Sequence, residues 1–147
     1  MAGAEAKATA LGGYRLEDQV GFYLRRAGQR HAAIFAEHMT DELTATQWAA
    51  LVKLAEFESL SQNLLGRETA MDAATIKGVV DRLLKRGLVA TAPDPDDARR
   101  MRVSITPDGC AAVARGISAA TAITAETLKP LDAAQRRQLV ELLRRIG

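Results

Sequence analysis

The side chains with most chemistry to offer are cationic, and they fall into separate groups. Between Pro93 and Arg102 the chain sets Asp94, Asp96 and Asp97 against Arg99, Arg100 and Arg102. The stretch is locally neutral, which suits aiming one guanidinium better than clamping a polyanion without discrimination. Upstream, Thr75, Lys77 and Arg82 stand at the margins of a helix face made by Ala74, Gly78, Asp81 and Lys85. Hydroxyl, ammonium and guanidinium groups so placed are the tools of phosphate and base-edge recognition. A further pair, Arg26 and Arg30, stands four residues apart, where like charges cost a lone helix roughly 0.2–0.5 kcal/mol. Something anionic should answer them. On one reading it is Glu37 or an acid on a partner chain. On the other it is the carboxylate, phosphate or coenzyme A moiety of a ligand whose apolar part lies near Tyr23, Phe35 and Trp48.

His31 and His38 lie seven residues apart and share one helical face. Such a pair is more often hydrogen-bonded at an interface; contact with a ligand or a response to pH is the lesser alternative. Two imidazoles without carboxylate company make a weak metal claim. There is no glycine-rich phosphate loop and no His-Glu-x-x-His, so no enzyme, metal or cofactor is expected. The single cysteine, Cys110, can form no internal disulfide, which fits a reducing cytosol. The N-terminus lacks the basic start and apolar run of a leader, and the uncharged stretches are too short to cross a bilayer, so a cytoplasmic protein with no membrane partner is expected.

These groups need a scaffold. The 147 residues are 48% apolar but only 4% aromatic, which predicts one domain of closely packed helices and excludes an all-β sandwich. Residues 1–13 show no period and are expected to be a flexible arm, leaving 14–147 as one unit. From Leu16 to Met39, Leu16, Val20, Tyr23, Leu24, Ala27, Ile34 and Phe35 make one face of a long helix. Thr44-Ala-Thr-Gln47 is a capping box opening a helix with the stripe Trp48, Leu51, Val52 and Ala55. Ser61 caps a helix of about two turns, and Asp72 caps another, with Ile76, Val79, Val80, Leu83 and Leu84 on one side and Gly87 at its end. The period then changes: Leu88–Thr91 and Met101–Ile105 form a β-hairpin with a charged tip. Thr106-Pro107 opens an alanine-rich helix to about Leu128; Pro130 breaks it, and Asp132 caps a last helix through Leu139, Leu142, Leu143 and Ile146.

The expected fold is therefore mainly α with a small β-hairpin (α+β): a winged helix-turn-helix over 40–106, flanked by long dimerisation helices at 14–39 and 107–147. The helix from Pro107 is a rod of roughly 30 Å, too long for the compact lobe it follows. Ala111, Ala112, Ala114, Gly116, Ser118, Ala119, Ala120 and Ala122 are small enough for a second helix to approach it, and a two-fold dimer would read a palindrome. In the helix after Asp72, Ala73 and Ala74 could meet thymine methyls, Thr75 and Lys77 base edges, and Arg82 a phosphate. Gly78 costs that helix about 0.8–1 kcal/mol, and close approach to the groove floor is a reason to tolerate it. Ser61, Gln62 and Asn63 could hold a phosphate at a helix start. The plainer alternatives are a solvated face that carries Lys and Arg, and a Ser61 that only caps.

The runs Leu43–Leu54, Met71–Val89, Asp94-Pro-Asp-Asp-Ala-Arg-Arg100 and Val103-Ser-Ile-Thr-Pro-Asp-Gly109 resemble the MarR family of transcriptional regulators over residues 15 to 146. The wing motif, Asp-x-Arg followed by Val-x-Ile-Thr-x-x-Gly, is its most specific part. The resemblance implies a homodimeric winged-helix repressor of double-stranded DNA, released by a small aromatic effector bound between the dimer helices and the DNA-reading lobe. It implies that Arg99, held by Asp97, enters the minor groove, with Arg100 the nearest substitute. The run Met71–Leu83 is similar to regulators of aromatic-acid degradation, some answering to aromatic acyl-coenzyme A thioesters, so the expected effector is an aromatic acid or aromatic acyl-coenzyme A; Tyr23, Arg26, Arg30, His31, Phe35, His38 and Trp48 are the candidate effector contacts. Peroxide-sensing members carry their thiol near the N-terminus, so Cys110 is not expected to sense redox. The competing expectation is a constitutive architectural or protein-interaction dimer with no effector.

Overall fold

The computed structural model describes residues 2–147. The polar caps read from the sequence each start a helix. Thr44 accepts the Gln47 amide at 3.2 Å while Gln47 Oε1 accepts the Thr44 amide, closing the box that opens α3 (Ala45–Phe57). Ser61 caps α4 (Gln62–Glu68), Asp72 caps α5 (Ala73–Lys85), Thr106 caps α6 (Pro107–Leu128) and Asp132 caps α7 (Ala133–Ile146). Gly87 takes φ +70° just past α5, the left-handed conformation that ends a helix without a Cβ penalty.

Several expectations are corrected. The first long helix is shorter at its start: Leu16–Asp18 is a 3-10 turn, and α2 runs Val20–His38. The arm is helical from Ala2 to Leu11 (α1), as its alanine content favours, and its described side chains are exposed. The buried stripe of α3 is Gln47, Ala50, Leu51 and Leu54; Val52 is only half-buried and Ala55 is exposed. The hairpin is part of a three-stranded sheet. Ser59–Ser61 (β1) pairs antiparallel with Met101–Ile105 (β3), which pairs in turn with Val89–Pro93 (β2), giving the order β1-β3-β2. Ser61 faces Arg102 across the first pairing, and Pro93 faces Met101 across the second.

One core cluster joins α3, α4, α5, the sheet and the start of α6 through Leu51, Leu54, Leu65, Ile76, Val79, Leu83, Val103 and Ala112. A smaller one holds Ile34, Phe35 and Ile123 where α2 crosses α6, with Trp48 packed against both. Two residues of the small-side-chain stripe thus serve the interior of their own chain. Ala112 is fully buried, and a Cβ on Gly116 would lie 2.4 Å from Trp48 Cζ3, so α6 can lie against α3 only with glycine there. Ala111, Ala114, Ser118 and Ala122 stay exposed. So does the apolar face of α2 before Ile34 and that of α7: Val20, Tyr23, Leu24, Val140, Leu142 and Ile146 are all between 40% and 69% exposed.

Candidate nucleic-acid interface

Asp72 takes the Thr75 amide at 2.7 Å, and the Thr75 amide and hydroxyl together hold its carboxyl below the usual carboxylate range. This cap fixes the start of α5, whose Ile76, Val79, Val80 and Leu83 are buried. The opposite face is free: Ala73, Ala74, Thr75, Lys77 and Arg82 are exposed, and Gly78 is half-buried. Lys77 pairs with Asp81 at 2.9 Å across one turn, which steers its ammonium along the helix. A Cβ on Gly78 would lie 3.4 Å from the Arg82 guanidinium and near no other side chain, so Arg82 folds back over the bare backbone at Gly78.

The wing is ordered by its own aspartates. Asp94 accepts the Asp96 amide at 2.8 Å and stands 3.6 Å from Arg102; both contacts hold its carboxyl low, the amide most. Asp97 accepts the Arg99 Nε at 3.1 Å, its Nη2 at 3.3 Å and its backbone amide at 3.1 Å, with Arg100 at 3.7 Å. The Arg99 bonds, then the Arg100 charge, lower the Asp97 carboxyl. Arg99 remains 91% exposed, so Asp97 fixes its direction without covering it. Arg102 is turned inward: its Nε donates to Ser59 Oγ at 2.9 Å and its Nη2 to the Ser59 carbonyl at 3.2 Å, strapping β3 to β1.

That strap sets α4 beside the wing. Ser61, Gln62, Asn63, Arg67, Arg99, Arg100 and Met101 line one cleft of about 370 Å³ between the two. The structure thereby brings Ser61, Gln62 and Asn63 together with Arg99 and Arg100. Ser61 Oγ is also engaged locally, accepting the Leu64 amide at 3.2 Å. Arg67 was not among the sequence candidates. Its signal was present, four residues after Asn63 on the short helix, but lacks meaning until β1 places that helix against the wing.

The candidate effector residues divide. Tyr23, Arg26 and Arg30 line a pocket of about 650 Å³ with Ala27 and Pro130. Phe35 lies farther along α2, beside a separate cavity, and Trp48 lies against Gly116 in the interior. Among the described residues neither Glu37 nor another acid answers Arg30. Its Nη1 donates to the Thr127 carbonyl at 2.7 Å and its Nη2 to the Glu126 carbonyl at 3.0 Å, so it caps the electronegative end of α6. His31 Nδ1 bonds Thr127 Oγ1 at 2.8 Å, and His38 Nδ1 bonds the Ile34 carbonyl at 2.9 Å. Arg26 has no hydrogen-bond or ion-pair partner among the described residues.

The joint between α6 and the end of α5 is Asp41, at φ +56°. Its carboxylate takes Arg115 of α6 at 3.0 and 3.2 Å, and its carbonyl takes the Arg86 guanidinium from the end of α5. Nothing in the loop sequence announces it.

Comparison with known proteins bears on this geometry. The MarR family model matches residues 41–100, the span from Asp41 to the second wing arginine. The chain is 40% identical over 134 residues to the HTH-type transcriptional repressor NicR of Pseudomonas putida, covering 90% of this chain and 85% of that one. A probable transcriptional regulator from Pseudomonas aeruginosa superposes with a TM-score of 0.88 at 53% identity, over 90% of this chain and 100% of that one. Bordetella bronchiseptica BpsR, a protein whose DNA binding is regulated by 6-hydroxynicotinic acid, superposes with a TM-score of 0.87 at 41% identity, over 90% and 96%. With a capped reading helix, an arginine-tipped wing and two long apolar-faced rods matched along nine-tenths of its length, this chain belongs to the MarR family of transcriptional regulators.

Proposed function

We propose that the protein is a cytoplasmic homodimeric repressor that occupies a palindromic operator and is released by a small aromatic acid. The observation that carries the DNA reading is the pairing of an exposed α5 face with a wing whose Arg99 is aimed by Asp97 yet 91% exposed. In this reading Ala73, Ala74, Thr75, Lys77 and Gly78 meet the major groove, Arg82 a phosphate, and Arg99 a narrow minor groove. The exposed apolar faces of α2 and α7 bury each other across the two-fold axis. The effector reading is supported by the unpartnered Arg26 beside Tyr23 in a pocket that touches α2 and the Pro130 turn, and by the regulation of BpsR by an aromatic acid.

Selection of bound sequences from a random DNA pool at about 0.15 M salt tests the first part, since specific binding should exceed non-specific by roughly 10³ or more. A palindrome with half-sites about one turn apart supports it; recovery of no motif refutes it. For the effector, hydroxynicotinic and hydroxybenzoic acids at saturation should raise the melting temperature and weaken binding to the recovered site. An aromatic panel that shifts neither would refute release by such acids.

A further inference from the structure

We propose that Arg67 and Arg100 together grip one DNA backbone phosphate, from the helical lobe and from the wing, and so set the distance between the two reading elements. This rests on the reading that α5 and the wing bind DNA. Between a major groove and the adjoining minor groove runs one sugar–phosphate strand. A protein that enters the first with α5 and the second with Arg99 must let that strand pass between them, and the cleft that separates α4 from the wing is the passage.

The cleft is chemically prepared for it. Arg67, Arg99 and Arg100 line it, and none of its lining residues is acidic. Arg67 is exposed, and its guanidinium makes no hydrogen bond or ion pair among the described residues. The nearest acid to Arg100, Asp97 at 3.7 Å, is already committed to Arg99 through three shorter bonds. Arg102, the other wing arginine, is withdrawn to Ser59. Arg67 is thus left facing the polar cleft without an acid partner, and Arg100 with only a long ion pair to a carboxylate it shares with Arg99. A phosphodiester satisfies both with charge-assisted bonds, while the amides of Gln62 and Asn63, unbonded among the described residues, line the same walls.

The test is Arg67→Gln in the full-length protein, with Arg67→Lys as rescue. Each phosphate neutralised contributes about 0.9 to the slope of log K against log salt, and a dimer places two copies of Arg67. The slope of the double variant R67Q/Arg100→Gln should therefore be shallower by about 1.8, so that between 50 and 200 mM salt the wild-type affinity falls ~12-fold more than that of the double variant, and the R67Q slope should lie between the two. R67K should restore the slope, the base preference selected from a random pool should not change, and the melting temperature of R67Q should match the wild type. Walking a single uncharged methylphosphonate through the site should find one position per half-site that weakens wild-type binding more than that of R67Q or Arg100→Gln. A wild-type salt slope in R67Q, or a methylphosphonate pattern identical in R67Q and wild type, overturns the proposal. The slope is measured on random-sequence DNA as well. If no operator motif emerges but R67Q still flattens that slope, the operator reading fails and the phosphate grip stands.

Discussion

Two glycines place opposite demands on the same substitution. At Gly78, on the face of α5 away from the core, an added methyl meets only the mobile end of Arg82 at 3.4 Å. The helix interior gains about 0.8–1 kcal/mol on Gly→Ala, so Gly78→Ala should melt higher by about 2–4 °C. At Gly109 the methyl would sit 2.2 Å from the Leu88 carbonyl oxygen and 2.7 Å from Ile105 Cγ1. The first is backbone, pinned by the Thr106 amide at 3.1 Å, so neither side yields easily. Overpacking of this kind costs about 1–3 kcal/mol, and Gly109 lies in the first turn of α6, where the propensity gain is small. Gly109→Ala should melt lower by about 3–10 °C. Thermal unfolding at one fixed protomer concentration measures both. If Gly78 lies on the groove floor, its stabilised variant should also lose operator affinity on the order of tenfold, the ~1–3 kcal/mol of one spoiled base contact. A Gly78→Ala protein that melts higher and binds as tightly as the wild type would show that the backbone there does not approach DNA. A Gly109→Ala protein with unchanged melting would refute the packing argument itself.

Asp97→Asn removes an acid from the surface proposed to face DNA; long-range electrostatics alone favours tighter binding, whereas loss of the Arg99 aim should weaken operator binding, and a titration against the recovered site decides the sign. Because Asp97 is held below the ordinary carboxylate range when folded, its contribution to wing order is present above the unfolded value and fades as pH falls through the lower folded one. Carboxyl-carbon NMR should show the Asp97 titration move back up in Arg99→Ala. Arg30→Ala should lose about 0.3–1 kcal/mol of stability through the α6 terminus, while Arg26→Ala should melt as the wild type and lose the thermal shift given by aromatic acids. Finally, the melting temperature should rise with protein concentration, as mass action requires when α2 and α7 are covered only in the dimer; a concentration-independent transition would argue for a self-sufficient monomer.

The elements that local chemistry dictates were legible in the sequence. Thr44, Ser61, Asp72, Thr106 and Asp132 each satisfy backbone donors within three residues, so their signal is complete where they stand. Strand β1 was not legible: Ser59–Ser61 is three residues long, and its partner lies some 40 positions downstream. The stripe of α3 shifted because Gln47, a polar capping residue, is buried at 5% exposure and receives Arg86, which apolar periodicity cannot foresee. The reading helix and the wing aspartates were visible as residue types at fixed spacing. The partners of Arg30 were not, because they are carbonyls at the end of a helix 96 residues away, and a backbone acceptor has no letter of its own.

The uncovered faces of α2 and α7 are far in sequence from α5 and the wing, and they carry none of its chemistry. A gene copy that spoils α5 therefore leaves the pairing surface intact. If the proposed dimer and palindromic operator hold, spoiled subunits in a cell making both versions would still join sound ones, and each mixed pair would offer the palindrome only one competent half. Lesions in the reading lobe should consequently be dominant over the wild-type allele, whereas lesions in α2 or α7 that prevent pairing should be recessive.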